Sequence, residues 1–259
     1  MTERYPALNF DQQIVLVTGG ARGLGASLVN AFLQAGARVV INYRTSQSAA
    51  DQRASLAPAH ALALKADVCD PAAVQHMANQ AQAHFGSPIT TVVNNALPDF
   101  SFNGDARPTL ENLSWGSMQA QMGTVQGALN TMQATLPGMK SLGFGRIINI
   151  GTNLFQNPVV PYHDYTAAKA ALLALTRTAA QDLGAAGITV NMVSGGLLQT
   201  TDASAATPPA VFDLIAANTP LRRVVTPDEL ADAVLFFASP WARAITGQNL
   251  VVDGGLVKN

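Results

Sequence analysis

Residues 162–170 read YHDYTAAKA. Within this run Tyr165 and Lys169 stand four apart, so on a helix they project from one face. A phenol ordinarily titrates at about 10. An ammonium beside it favours the phenolate and lowers that value. A tyrosine tuned in this way donates a proton to a developing alkoxide and takes one back in the reverse direction. An ordinary surface pair on an alanine-rich helix fits the same spacing, so the pair needs support from elsewhere in the chain.

That support lies near the other end of the chain. The run VTGGARGLGASL follows an apolar stretch and opens a helical pattern. Gly19, Gly23 and Gly25 are spaced G-x-x-x-G-x-G. Glycines in such a turn bring backbone close to a phosphate, and the helix N-terminus supplies N–H donors and a positive dipole end. The second strand candidate ends in INYRTS. A site for NAD(H) usually offers an acidic residue there for the ribose 2′-hydroxyl. This chain offers Tyr43 and Arg44, and Arg22 sits inside the glycine turn. Two guanidiniums suit a 2′-phosphate, so NADP(H) is expected over NAD(H).

These residues must be positioned by strands and helices. The strand candidates are IVLVTGG, ARVVINYR, ALALKADV, ITTVVNNA, RIINIGT, ITVNMVSGG and NLVVDGG. Several are almost continuously apolar, as in strands covered on both faces. Helical stretches such as GLGASLVNAFLQAG and PAAVQHMANQAQAHFG lie between them. This alternation predicts an α/β fold: one doubly wound Rossmann-like domain over residues 1–259, a parallel sheet flanked by helices. Two irregular stretches, 97–109 and 195–210, each follow a strand on the side where such sheets bind ligands.

Bulk properties agree with this reading. The chain has 259 residues, 48% of them hydrophobic, and a formal net charge of −1. That length is ample for a core. The apolar content argues against disorder, and no basic face is expected for nucleic acid. Cys69 is the only cysteine, so no intrachain disulfide forms and a reducing compartment is expected. The polar N-terminus lacks a signal-peptide core, and no apolar run is long enough for a membrane span. A cytoplasmic protein without membrane or nucleic-acid partners is expected. His60, His76 and His84 show no metal-ligand spacing, and Ser194 lacks a nucleophile elbow.

Taken together, TGGARGLG, Asp67 in ADV, NNA at 94–96, GRIINIGT, YTAAK, ITVNMVSGG and ITGQNLVVDGG resemble the short-chain dehydrogenases/reductases over nearly the whole chain. The resemblance implies seven parallel strands and hydride transfer between a nicotinamide and a carbonyl or alcohol carbon. It implies that Tyr165 is the acid/base and that Lys169 lowers its pKa and holds the nicotinamide ribose. Thr152, thirteen residues before the tyrosine, takes the place of the family's serine. Thr124 takes the place of an asparagine that holds a relay water. Cofactor contacts are implied for Leu24 in the glycine turn, for Asp67 and Val68 near the adenine, for Asn94 and Ala96 near its ribose, and for Leu198 and Thr200 near the carboxamide. Leu97 stands where the family has a glycine, and Gly195-Gly196 where it has proline-glycine, a change expected to loosen that segment. His163 and Asp164 are expected at the rim or as caps.

Loop position makes Phe100, Phe102, Phe155, Tyr162 and Leu198 candidate substrate-lining residues. They suit an apolar or aromatic ketone or aldehyde. A second reading is the same chemistry on a 3-oxoacyl group carried by an acidic carrier protein, with Arg222 and Arg223 as a docking patch. A third is a nucleotide-binding regulator that has lost catalysis. The resemblance also implies a homotetramer, with helices 111–136 and 162–184 at one interface and the ITGQNLVVDGG tail at the other.

Overall fold

The computed structural model describes residues 8–100, 102–199, 201, 204–205 and 207–258. Its strands are β1 (Ile14–Val17), β2 (Arg38–Tyr43), β3 (Ala61–Lys65), β4 (Thr91–Asn94), β5 (Gly145–Thr152), β6 (Ile188–Gly195) and β7 (Asn249–Val252). They form one sheet in the order β3-β2-β1-β4-β5-β6-β7, with every pair parallel. The helices are α1 (Gly23–Gln34), α2 (Gln47–Ser55), α3 (Pro71–Phe85), α4 (Trp115–Gln121), α5 (Gly123–Leu142), α6 (His163–Leu183), α7 (Pro209–Asn218) and α8 (Pro227–Ala238).

Side chains alternate across each strand, so an apolar run feeds two cores. Val15 and Val17 pack on one face with Leu28 and Phe32 of α1 and Val234 of α8. Ile14 and Leu16 pack on the other with Met77 of α3, Met132 of α5 and Leu172 of α6. Each such side chain contributes about 1.5–3 kcal/mol on burial. A one-residue slip would exchange the two faces, so the pattern fixes the register. Chain direction along the sheet reverses between β1 and β4. The crevice beyond the strand ends at that switch point is where doubly wound sheets bind ligands.

All seven strand candidates form. The helix expected over 111–136 does not form as one element. It starts at Trp115, capped by the Ser114 hydroxyl, which accepts from the Ser117 N–H. It breaks at Met122, and α5 then runs on to Leu142 through Pro137. At the break, a Cβ on Gly123 would lie 3.2 Å from both Cys69 Sγ and Pro98 Cγ. The glycine that interrupts helical propensity is the one that permits close packing there. The helix expected over 162–184 is α6, within a residue at each end.

Candidate active site

The glycine turn is closed from three sides. A Cβ on Gly25 would sit 2.1 Å from the Gly19 carbonyl oxygen, and Gly19 holds φ +62°. No other residue fits both demands. The Gly19 N–H donates to Asn42 Oδ1 at 3.3 Å. Asn95 Nδ2 donates to the Thr18 carbonyl at 2.9 Å. The Thr18 hydroxyl accepts the N–H groups of Asn95 and Ala96, each at 2.9 Å.

From this turn a cleft of about 1170 Å³ runs along the carboxyl ends of the strands. Gly19, Arg22, Gly23, Leu24 and Gly25 line one wall. Tyr43, Arg44, Asp67, Val68 and Ala96 line the adjoining part. Thr152, Tyr165, Lys169 and Leu198 stand on the wall beyond the switch point. Thus the two sequence signals, 140 residues apart, open into one cavity.

The Thr152 hydroxyl stands beside the Tyr165 phenol on the cleft wall and acts to lower its pKa. Thr152 Oγ1 accepts the Leu154 N–H at 3.3 Å, which fixes its side chain at the end of β5. Lys169 Nζ lies 5.8 Å from the Tyr165 ring centre and donates to the Ile150 carbonyl at 2.7 Å. All three residues are buried. Burial pushes the phenol up to about 12, and the Thr152 hydroxyl beside it offsets this only in part. Burial brings the ammonium down to about 8. The lowering of Tyr165 expected from Lys169 is therefore reversed in this geometry. The ammonium points to a backbone carbonyl, and desolvation governs both groups.

Three aromatic rings gather at the tyrosine. Phe100 stacks on Tyr165 with centres 4.9 Å apart and planes at 22°. Phe102 meets it edge-on at 5.3 Å, and both rings contact Tyr162. The Tyr162 hydroxyl accepts the Gly104 N–H at 2.9 Å, and Arg107 Nε donates to the Pro161 carbonyl at 3.3 Å. Phe100, Phe102, Tyr162 and Leu198 all line the cleft.

Several expectations are corrected. Phe155 packs against the core on the α5 and α6 side of the sheet and does not line the cleft. Asn94 also turns inward. Its Oδ1 accepts from the Thr131 hydroxyl at 2.6 Å, and its Nδ2 donates to Asn149 Oδ1 at 2.8 Å. Asn149 continues to the Thr176 hydroxyl at 2.8 Å, so the chain of bonds ties β4 and β5 to α5 and α6. Thr124 stands in the first turn of α5 but outside the cleft lining. Its hydroxyl is buried with no partner among the described residues. Thr200 lies outside the described residues.

Gly195 and Gly196 lie in close packing. A Cβ on Gly195 would meet Leu230 Cδ1 at 2.6 Å, and one on Gly196 would meet Asn153 Nδ2 at 3.0 Å. Close packing occupies the space that proline would restrict, and a bridge from Leu198 to Val225 holds the strand exit. Asp164 acts as a tie. Its Oδ2 accepts from the Ser117 hydroxyl at 2.6 Å and its Oδ1 from the Tyr165 N–H at 2.8 Å.

Two contributions were missed. Asn95, not Asn94, braces the glycine turn, and the NNA run names both without saying which faces the cleft. Asn153 Nδ2 donates to Asp253 Oδ2 at 2.9 Å, and Asp253 also accepts the N–H groups of Gly255 and Val257 at 3.0 Å each. The VVDGG tail thereby props the strand end that carries Thr152. The tail signal was visible, its destination was not.

The fold and site together define a nucleotide-binding oxidoreductase of the doubly wound class. A family model described as enoyl-(acyl carrier protein) reductase matches residues 19–257. A short-chain type dehydrogenase/reductase of Picea abies is 32% identical, covering 95% of this chain and 92% of its own. An acetoacetyl-CoA reductase of Rhizobium meliloti is 34% identical, covering 94% and 98%. A gluconate 5-dehydrogenase of Burkholderia cenocepacia, solved with NADP and tartrate, superposes with a TM-score of 0.86 at 30% identity over 96% of each chain. The chain belongs to the short-chain dehydrogenase/reductase family, whose members work with a nicotinamide cofactor.

Proposed function

We propose that this protein is an NADPH-dependent reductase that converts an apolar ketone or aldehyde to an alcohol, with Tyr165 as the acid. The observation that carries the reading is the Tyr165–Thr152 hydroxyl pair beside buried Lys169, on the wall of the cleft that begins at the glycine turn. The turn suits the cofactor, since the absence of Cβ atoms at Gly19 and Gly25 leaves backbone exposed to a pyrophosphate. Arg22 and Arg44 would hold a 2′-phosphate, and Lys169 would reach the ribose next to the nicotinamide. When bound, that group supplies the hydride.

The chain's own residues then do the rest. Thr152 donates a hydrogen bond to the substrate carbonyl and polarises it. Tyr165 passes its proton to the oxygen as negative charge develops there. Burial holds the phenol up at about 12, so near neutrality it is in the acid form that reduction requires. The aromatic side chains of Phe100, Phe102 and Tyr162 around the site favour apolar substituents. Val211 and Ile215 continue the apolar lining.

The second reading, the same chemistry on a 3-oxoacyl thioester, is favoured by the acetoacetyl-CoA reductase and the 3-oxoacyl-[acyl-carrier-protein] reductase of Escherichia coli among the relatives. Arg223 is paired with Glu229 at 2.5 Å, and Arg222 donates to the Ala217 carbonyl. Arg223 is thus partly neutralised by Glu229, while Arg222 keeps its charge for an acidic partner. The non-catalytic reading leaves unexplained a tyrosine and a threonine hydroxyl set beside a buried lysine on the cleft wall.

The test is NADPH oxidation followed at 340 nm with aromatic ketones, aldehydes and 3-oxoacyl thioesters. Tyr165→Phe should lower kcat by about 10²–10⁴-fold while NADPH still binds. Residual activity within tenfold of the parent would remove Tyr165 from the mechanism.

A further inference from the structure

Arg44 already has a partner. Its Nη2 meets Asp99 Oδ1 at 2.5 Å. Asp99 directly precedes Phe100, whose ring stacks on Tyr165. One ion pair therefore joins the wall expected to hold the cofactor's 2′-phosphate to the aromatic cover of the acid/base. We propose that Asp99 is a specificity-determining residue: a 2′-phosphate displaces its carboxylate from Arg44, and the freed segment lifts Phe100 and Phe102 from Tyr165. This rests on the NADP(H) reading above.

The geometry supports such an exchange. Phe100 and Phe102 lie against Tyr165 and line the same cavity. A substrate seeking the Tyr165 and Thr152 hydroxyls must share or take that space. The cover is pinned at both ends. On one side are the Arg44–Asp99 pair and a bond from Gln121 Nε2 to the Asp99 carbonyl at 3.3 Å. On the other are the Gly104–Tyr162 and Arg107–Pro161 bonds. Only the first pin involves a group that a cofactor would engage.

Strength decides whether the pin yields. The Asp99 side chain is 90% exposed and that of Arg44 46% exposed. Exposed ion pairs of this kind shift an equilibrium by no more than about fivefold. A phosphate dianion accepts stronger, charge-assisted bonds from a guanidinium, so it outcompetes the carboxylate. A cofactor without the 2′-phosphate leaves the pair intact and the cover in place. Asp99 then discriminates between cofactors at the carbonyl site as well as at the adenosine site.

Chymotrypsin reads the cover directly, because cleavage after Phe100 or Phe102 requires that segment to leave the surface. The probes are adenosine 2′,5′-bisphosphate and adenosine 5′-monophosphate, with binding of each measured by calorimetry on the same samples. The bisphosphate should raise cleavage there by about two- to fivefold, and the monophosphate should not. Asp99→Asn should be cleaved at the raised rate without ligand, with no further gain from the bisphosphate. The same variant should bind NADPH about two- to fivefold more tightly and NADH unchanged. Bisphosphate that binds without raising cleavage, or a variant cleaved like the parent, overturns the proposal. Bisphosphate that binds no better than monophosphate overturns the NADP(H) reading itself, and the proposal with it.

Discussion

Lys169 shares a helical turn with Tyr165, yet its ammonium is directed to the Ile150 carbonyl. Its folded value of about 8 lies below the ordinary 10.5. Between those values the folded state holds fewer protons than the unfolded chain, so this site's contribution to stability rises with pH across that window. Below pH 8 the full burial penalty applies, about 3 kcal/mol at 1.36 kcal/mol per pH unit. Lys169→Met removes the penalty. Urea unfolding at pH 7 and pH 10.5 should show the parent gaining about 3 kcal/mol on the variant between the two. A constant gap would mean that Lys169 is not buried as a charge. At the far wall, Arg44→Ala should weaken NADPH binding by about tenfold or more, the worth of one charge-assisted hydrogen bond, and leave NADH binding unchanged. Equal losses for both cofactors would place Arg44 elsewhere. The residues proposed for the reaction were legible in the sequence because the tyrosine–lysine spacing is local. What was not legible was the sign of the Tyr165 shift. Spacing puts an ammonium near a phenol, but burial arises from Phe100 and Phe102, some sixty residues earlier in the chain.

At the scale of elements, strand and helix positions followed from hydrophobic period and glycine placement. The seven strands read as apolar runs because both faces of the sheet are covered. The break at Met122 was hidden, since helix formers flank it and the close packing of Gly123 on Cys69 and Pro98 involves another part of the chain. Asn94 and Asn95 show the same limit. Two adjacent amides look alike, and which one turns toward the cleft depends on the phase at which β4 ends. The glycine turn makes a sharper demand. Gly25→Ala would place a methyl 2.1 Å from the Gly19 carbonyl oxygen, a clash with backbone that side-chain rotation does not relieve. A loss of at least about 1–3 kcal/mol is expected, together with loss of nucleotide affinity. Thermal unfolding with and without NADPH would show both, and a variant with parental affinity would contradict the close approach described for this turn.

For the whole molecule, the sheet has two edges, β3 and β7. The β7 edge carries Leu250 at 38% exposure, and an uncovered strand edge invites pairing. Leu129, exposed on α5, adds an apolar residue to the helical face expected at the other contact. We expect both to be covered by further copies, giving a tetramer in sedimentation equilibrium. A monomer at micromolar concentration would exclude it. Among the described residues no helix is long and apolar enough to cross a membrane.

The bond from Asn153 to Asp253 spans 100 residues of chain and seats the residue that follows Thr152. Chimeras made by recombining this gene with a relative's will often exchange the tail alone. A crossover between the two positions would pair one parent's strand end with the other parent's prop. Libraries built for altered substrate choice should inherit Asn153 and Asp253 as a unit, even though the second lies far from any residue a designer would mark as catalytic.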